Sequence, residues 1–210
     1  MLRCSWYKYR VEGVSVAEID EKREIIPGTE FDIDCDTILF SVGLIPENEV
    51  SKTAGVLLDP VTKGPVVDDH MQTNVAGIFA CGNVLHVNDL VDNVSVESEK
   101  AGRAAALFAH GRLDADSGCI EVSAGENVRY VTPQKIVDDD AEQVTVYFRV
   151  AAPDKNVSIK ALADGIELKS VRRPFVNPGE IESITLEKVK FAHGAVKQIK
   201  ISLIKEDEVL

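Results

Sequence analysis

The segment Gly77-Ile78-Phe79-Ala80-Cys81-Gly82 constrains this chain more than any other, because it is an apolar run that stops at a glycine. A short run of this kind, without polar alternation, reads as an apolar strand. The closing glycine lets the backbone approach a flat, polyhydroxylated ligand, and Asn83 then places a short donor and acceptor side chain at that point. Farther on, Ser95 to His110 has helical spacing. Ala101, Ala104, Ala105 and Phe108 share one face, Glu97, Glu99, Lys100 and Arg103 take the other, and Gly111 is the stop.

Upstream, Val11 to Val16, Glu24 to Ile26 and Phe31 to Phe40 read as short strands of a β-meander, with Pro27-Gly28-Thr29 as a reversal. Ile38, Leu39 and Phe40 form a nearly continuous apolar strand running into Ser41-Val42-Gly43, the pattern of a strand buried on both faces inside an α/β layer. Pro46 to Gly55 is expected to be a short helix with its stop, and Val66-Val67-Asp68 a further short strand.

Beyond Leu113 the period changes to two. Val144, Val146, Phe148 and Val150 fall on one face and Thr145, Tyr147 and Arg149 on the other, as in a half-buried antiparallel strand. Val157 to Ile159, Ile166 to Leu168, Ile184 to Leu186 and Ile199 to Leu203 repeat the theme, with turns at Asp164-Gly165 and Asn177-Pro178-Gly179. The expected fold is therefore an α/β domain with a β-meander over residues 1–115, followed by an all-β, sandwich-like domain over residues 119–210. The boundary is placed near Asp114 to Gly118, where Asp, Ser and Gly cluster.

Charge and cysteine usage exclude several functions. Lys plus Arg number 23 against 35 Asp plus Glu, a net charge of −12, so the average field repels nucleic acid. No apolar run reaches the roughly 20 residues of a membrane helix, and Met1 to Arg10 shows no signal core; the expectation is a cytoplasmic protein without membrane insertion. Cys4, Cys35, Cys81 and Cys119 are dispersed, with neither a C-x-x-C nor a zinc-like spacing, and no metal site is expected. Asp138-Asp139-Asp140 reads as a solvated turn. His86 reads as a surface or capping residue, and His70, His110 and His193 have no supporting constellation.

Two strings together carry a family resemblance. Thr37-Ile38-Leu39-Phe40-Ser41-Val42-Gly43-Leu44-Ile45-Pro46-Glu47-Asn48 resembles the strand-and-glycine junction that closes the NAD(P)-binding domain of the pyridine nucleotide–disulfide oxidoreductase superfamily. Thr73-Asn74-Val75-Ala76-Gly77-Ile78-Phe79-Ala80-Cys81-Gly82-Asn83 resembles that superfamily's second FAD motif, and Ala101-Gly102 follows on a helix as it does there. The resemblance covers residues 28–112 and implies that residues 1–115 are the carboxy-terminal part of an FAD/NAD(P)-binding, Rossmann-like domain. It implies cofactor-binding residues Gly82, Asn83, Ser95 and Val96: the first pair at the flavin ribityl chain, the second at the helix N-terminus facing the flavin pyrimidine. Asn83 stands where the family has Asp, which keeps a carbonyl acceptor, adds an amide donor and removes a charge.

Neither a G-x-G-x-x-G loop nor a redox cysteine pair occurs in the chain. The resemblance therefore implies a carboxy-terminal portion of an FAD-dependent NAD(P) oxidoreductase, with FAD and NAD(P) bound in the complete protein and the missing amino-terminal region as its first partner. No catalytic residue is assigned. The Gly-Asn variant followed by Leu85-His86-Val87-Asn88-Asp89-Leu90-Val91-Asp92 looks most like disulfide-free flavoproteins found beside anaerobic glycerol-3-phosphate dehydrogenases, which implies electron transfer to a partner flavoprotein. The chain alone is expected to turn over no substrate and to self-associate through an uncovered apolar face. For residues 119–210, Arg172-Arg173, Lys188 and Lys190 are either partner contacts or solvated charges, the latter being favoured. The alternative function is a non-catalytic interaction module built on a decayed flavin domain.

Overall fold

The computed structural model describes residues 2–7, 10–22, 24–40, 43–113, 118–191 and 196–206, with side chains from residue 10 onward. These fall into two compact units, Met1–Gly43 and Leu44–Leu210. The boundary expected near Asp114 to Gly118 lies mostly on residues outside the described set, as does His193.

In the first unit, β1 (Leu2–Tyr7), β2 (Arg10–Val16) and β3 (Phe31–Asp34) pair antiparallel in the order β1-β2-β3, a meander. Among the described side chains of this unit only Val14 is buried. Two expected strands are shorter than their composition suggests. Glu24 to Ile26 makes only a single bridge, Ile19 to Ile25, before Gly28, at φ 86°, turns the chain back. The strand expected over Phe31 to Phe40 ends at Asp34, and Leu39 and Phe40 are 92% and 64% exposed. An apolar run becomes a doubly buried strand only between two neighbours, and no described strand pairs with Ile38 to Phe40. Ser41 and Val42, the continuation of the motif, lie outside the described residues.

The second unit begins with α1 (Glu49–Thr53), which Gly55 ends at φ 77°, close to the helix and stop read from Pro46 to Gly55. Residues 56–81 form tight turns tied by single antiparallel bridges, Leu58 to Pro65, Val67 to Thr73 and Gln72 to Phe79. The run from Gly77 to Gly82 is thus extended along its neighbour without joining a sheet: Thr73 N–H donates to the Ile78 carbonyl at 2.9 Å and Ala80 N–H to the Met71 carbonyl at 2.9 Å. Ala80 packs into a small core with Val67, Met71, Leu85 and Ala101. A 3-10 turn over Gly82–Val84 leads to α2 (Val91–Ala109), which starts at Val91 rather than Ser95.

The remaining strands are β4 (Cys119–Ala124), β5 (Val128–Thr132), β6 (Lys135–Val137), β7 (Gln143–Val150), β8 (Asp154–Ala163), β9 (Ile166–Val176), β10 (Glu182–Glu187) and β11 (Gln198–Lys205). They form one sheet in the order β10-β7-β5 and another in the order β6-β4-β11-β8-β9. Pairing is antiparallel except for β11 beside β4. The alternation read in β7 places Val144, Val146, Phe148 and Val150 inward, and they share one core with Ile159 of β8 and Ile201 of β11. Asp164 and Gly165 both have positive φ, 46° and 90°, which the two-residue turn between β8 and β9 requires.

Candidate functional site

Gly82 sits at the centre of the candidate site with φ 68°, a left-handed conformation that favours glycine. A side chain there would also crowd Val94 of α2, whose Cγ1 lies 3.1 Å from the position of a Cβ. Glycine is thus required twice, by conformation and by the approach of the helix. Asn83 follows with its side chain exposed, and its Oδ1 accepts the Asn88 N–H at 3.1 Å. The N-terminal residue flanking α2, Leu90, provides no side-chain cap; its carbonyl accepts the Asn93 N–H at 3.2 Å. Ser95 and Val96 are exposed in the second turn, and Ser95 Oγ–H donates back to the Val91 carbonyl at 3.1 Å. With the helix starting at Val91, its terminal N–H groups belong to residues before Ser95.

Two clamps set this turn. Asn48, the last residue of the first motif, is buried, and its amide donates to the Val84 carbonyl at 2.8 Å and to the Lys63 carbonyl at 3.1 Å. Gly64 lies so close that a Cβ would fall on the Leu85 carbonyl. The two motifs read separately in the sequence therefore meet in space through Asn48.

The second clamp departs from the sequence pattern: Glu97, expected on the polar face of the helix, and His86, expected at the surface, are each only 1% exposed. Glu97 Oε2 accepts the Gly82 N–H at 2.7 Å, and its Oε1 is 2.7 Å from His86 Nε2. His86 Nδ1 lies 3.3 Å from Tyr130 Oη, and Arg149 Nε–H donates to that same oxygen at 3.2 Å. Arg149 also donates to the Val87 carbonyl at 3.0 Å and pairs with Asp89, whose other oxygen accepts the Ile181 N–H at 2.6 Å. A buried carboxylate is tolerable only when hydrogen-bonded in this way. The spacing held the clue: Glu97 stands four and seven residues before Ala101 and Ala104, on the stripe α2 buries. Burial pushes the Tyr130 hydroxyl above its ordinary pKa, although Arg149 opposes the shift.

A second ionic cluster corrects three further readings. Lys188 is buried rather than solvated: its ammonium pairs with Asp69 at 2.7 Å and with Asp139, and donates to the Val137 carbonyl at 2.9 Å. Asp139 is therefore an ion-pair partner rather than a solvated turn residue, and its other oxygen meets His70 Nε2 at 2.8 Å. Burial alone would raise the Asp139 carboxyl, but hydrogen bonds led by that from Lys188 hold it below the ordinary value. Burial would likewise lower Lys188, and its two carboxylate partners hold it above. By contrast, Arg172 is exposed and pairs with Glu206, Arg173 pairs with Glu182, and Lys190 pairs with Glu187. Among the described residues no cluster of metal-ligand side chains occurs, and no helix is long and apolar enough to cross a membrane.

A cleft of about 160 Å³ is lined by Val66, Asp68, Gln72, Asn74, Cys119 and Lys135, among others. Burial raises both the Asp68 carboxyl and the Cys119 thiol. Its volume is below the roughly 300 Å³ at which small-molecule pockets begin, so a dinucleotide does not fit within it.

The extended apolar run, left-handed glycine, polar side chain and uncapped helix start make up the kind of junction at which α/β folds receive ligands. Residues 9–105, just under half of the chain, match the family model described as pyridine nucleotide-disulphide oxidoreductase. The match supports that superfamily for a stretch holding both motifs and most of α2, and its members typically bind FAD and NAD(P). No curated protein and no solved structure matches the chain significantly.

Proposed function

We propose that residues 44–112 carry the ribityl and pyrimidine side of a flavin site in an FAD-dependent pyridine-nucleotide oxidoreductase. The observation that carries this reading is Gly82: a left-handed glycine, tightly approached by α2, with exposed Asn83 directly after it in a stretch that matches the oxidoreductase family. Gly82 itself is buried, with its N–H held by Glu97 and its carbonyl by the Leu85 and His86 N–H groups, so the group such a turn offers to a polyol is the exposed Asn83 amide. Asn83 would hold the ribityl hydroxyls, and the N–H groups opening α2 would face the electron-rich pyrimidine edge. Because the helix starts at Val91, Ser95 and Val96 would line that end from the second turn.

When bound, the flavin would supply hydride and electron transfer between NAD(P)H and an acceptor, while the protein orients it and sets its electrostatics. The chain has no G-x-G-x-x-G loop, so both pyrophosphate sites would be built from residues beyond this sequence. No cysteine relay is involved, in keeping with the disulfide-free flavoproteins that Gly82 to Asp92 resembles, and a partner flavoprotein would be the electron acceptor. Residues 119–210 would serve as the accessory β domain on which this half-site rests.

Calorimetric titration of the chain with FMN, FAD and ADP tests the assignment. The half-site described here predicts weak saturable binding of FMN and FAD, near millimolar or about −4 kcal/mol, and none of ADP. Binding of ADP alone would place the adenine side here and overturn the reading.

A further inference from the structure

With a neutral His86 imidazole, the chain of hydrogen bonds behind Gly82 runs in one direction. Arg149 Nε–H donates to Tyr130 Oη, which leaves the tyrosine proton for His86 Nδ1. His86 then carries its own proton on Nε2 and gives it to Glu97 Oε1, while Gly82 N–H donates to Oε2. Every link points toward the Glu97 carboxylate, and its second oxygen fixes the left-handed glycine. Tyr130 and Arg149 lie on β5 and β7, in the β domain, and the Tyr130 ring also meets the His86 ring edge-on at 5.9 Å between centroids. The same guanidinium is secured by Asp89 and by the Pro178 carbonyl at 3.0 Å.

We infer that Tyr130 and Arg149 of the β domain are positioning residues for the flavin-facing turn, acting through His86 and Glu97 on Gly82. This rests on the flavin reading above. None of the four touches the ligand side of the turn. They hold the Gly82 peptide, and with it the direction in which Asn83 leaves the chain. The β domain is thereby part of the site's frame rather than an appended module.

Tyr130→Phe removes the linking hydroxyl and keeps the ring packed on His86, so it tests the relay with the least disturbance. Three readouts are compared with the wild-type chain: FMN affinity by calorimetry, the melting temperature, and the Gly82 amide resonance by NMR. The expected result is FMN binding weakened roughly tenfold, the loss of one oriented hydrogen bond, with a displaced Gly82 resonance and little change in melting. Glu97→Gln, which keeps the size but breaks the donor order, is expected to weaken FMN binding further and to displace the same resonance. A tie that served stability alone would lower the melting temperature and leave the affinity of the folded protein unchanged. Tyr130→Phe binding FMN within twofold of wild type, with Gly82 unmoved, overturns this inference alone. No FMN binding by the wild-type chain overturns the flavin reading and this inference with it.

Discussion

Gly82 and Gly64 are fixed as glycine for different reasons, and the difference is measurable. At Gly82 the backbone conformation is the main constraint, so Gly82→Ala should cost about 1–3 kcal/mol of left-handed strain, with Val94 yielding a few tenths of an ångström. At Gly64 an added Cβ meets the backbone carbonyl of Leu85, which cannot rotate away, so Gly64→Ala should be the more destabilising of the two. Urea unfolding of both variants checks the order, and a Gly64→Ala protein as stable as wild type would contradict the packing described here. The apolar run ending at Gly82 signalled this glycine in advance. Glu97 and His86 were not recognised because a charged residue on a helix and a lone histidine in a linker are usually solvated. What buries them is a tyrosine and an arginine distant in sequence, and no local pattern announces such a partner.

Among the elements, the β strands were the most legible, because alternation is a direct record of which face is wet. Phe148 at the centre of β7 is fully buried, and Phe148→Ala should cost about 3–5 kcal/mol, read as a lower urea midpoint. The strand expected over Ile38 to Phe40 shows the limit of the same signal, since apolar composition states what a segment can bury but not whether neighbours are at hand. The Lys188 cluster ties the turn at Asp69 and His70 to the end of β6 and to the 3-10 turn after β10. Its pH dependence follows from the two shifts. Asp139, held low, contributes stability present above about pH 4 and lost as pH falls through its folded value. Lys188, held high, contributes stability fully present below about pH 10.4 and lost as pH rises through its folded value. The contribution of this cluster to the melting temperature should therefore be level between these limits and fall on both sides. Lys188→Met strands Asp69 in the interior and should cost about 3–5 kcal/mol while removing the alkaline limb. A variant that retained that limb would assign it to another group.

For the whole molecule, the described residues predict an uneven stability. The core shared by the two sheets is continuous, whereas the meander of β1 to β3 buries a single described side chain, Val14. Hydrogen exchange should be slow in β7, β8 and β11 and fast in β3, and slow exchange in β3 would show that this strand is covered in solution. The exposed apolar residues around Leu39, Phe40, Leu44 and Ile45 lead to the expectation of self-association, which light scattering over a concentration series checks. The resemblance to the oxidoreductase superfamily was legible because two short motifs keep their order and separation; the frame behind the second motif was not, because Tyr130 and Arg149 come from the distant strands β5 and β7. The most direct test of the central claim is a flavin fluorescence titration of the chain and of its Asn83→Ala and Asn83→Asp variants with FAD. Saturable binding that is lost in Asn83→Ala and kept in Asn83→Asp, which retains the acceptor, is the predicted result. Binding that ignores position 83, or no binding at any concentration up to about a millimolar, would contradict the assignment of a flavin half-site to Gly82 and Asn83.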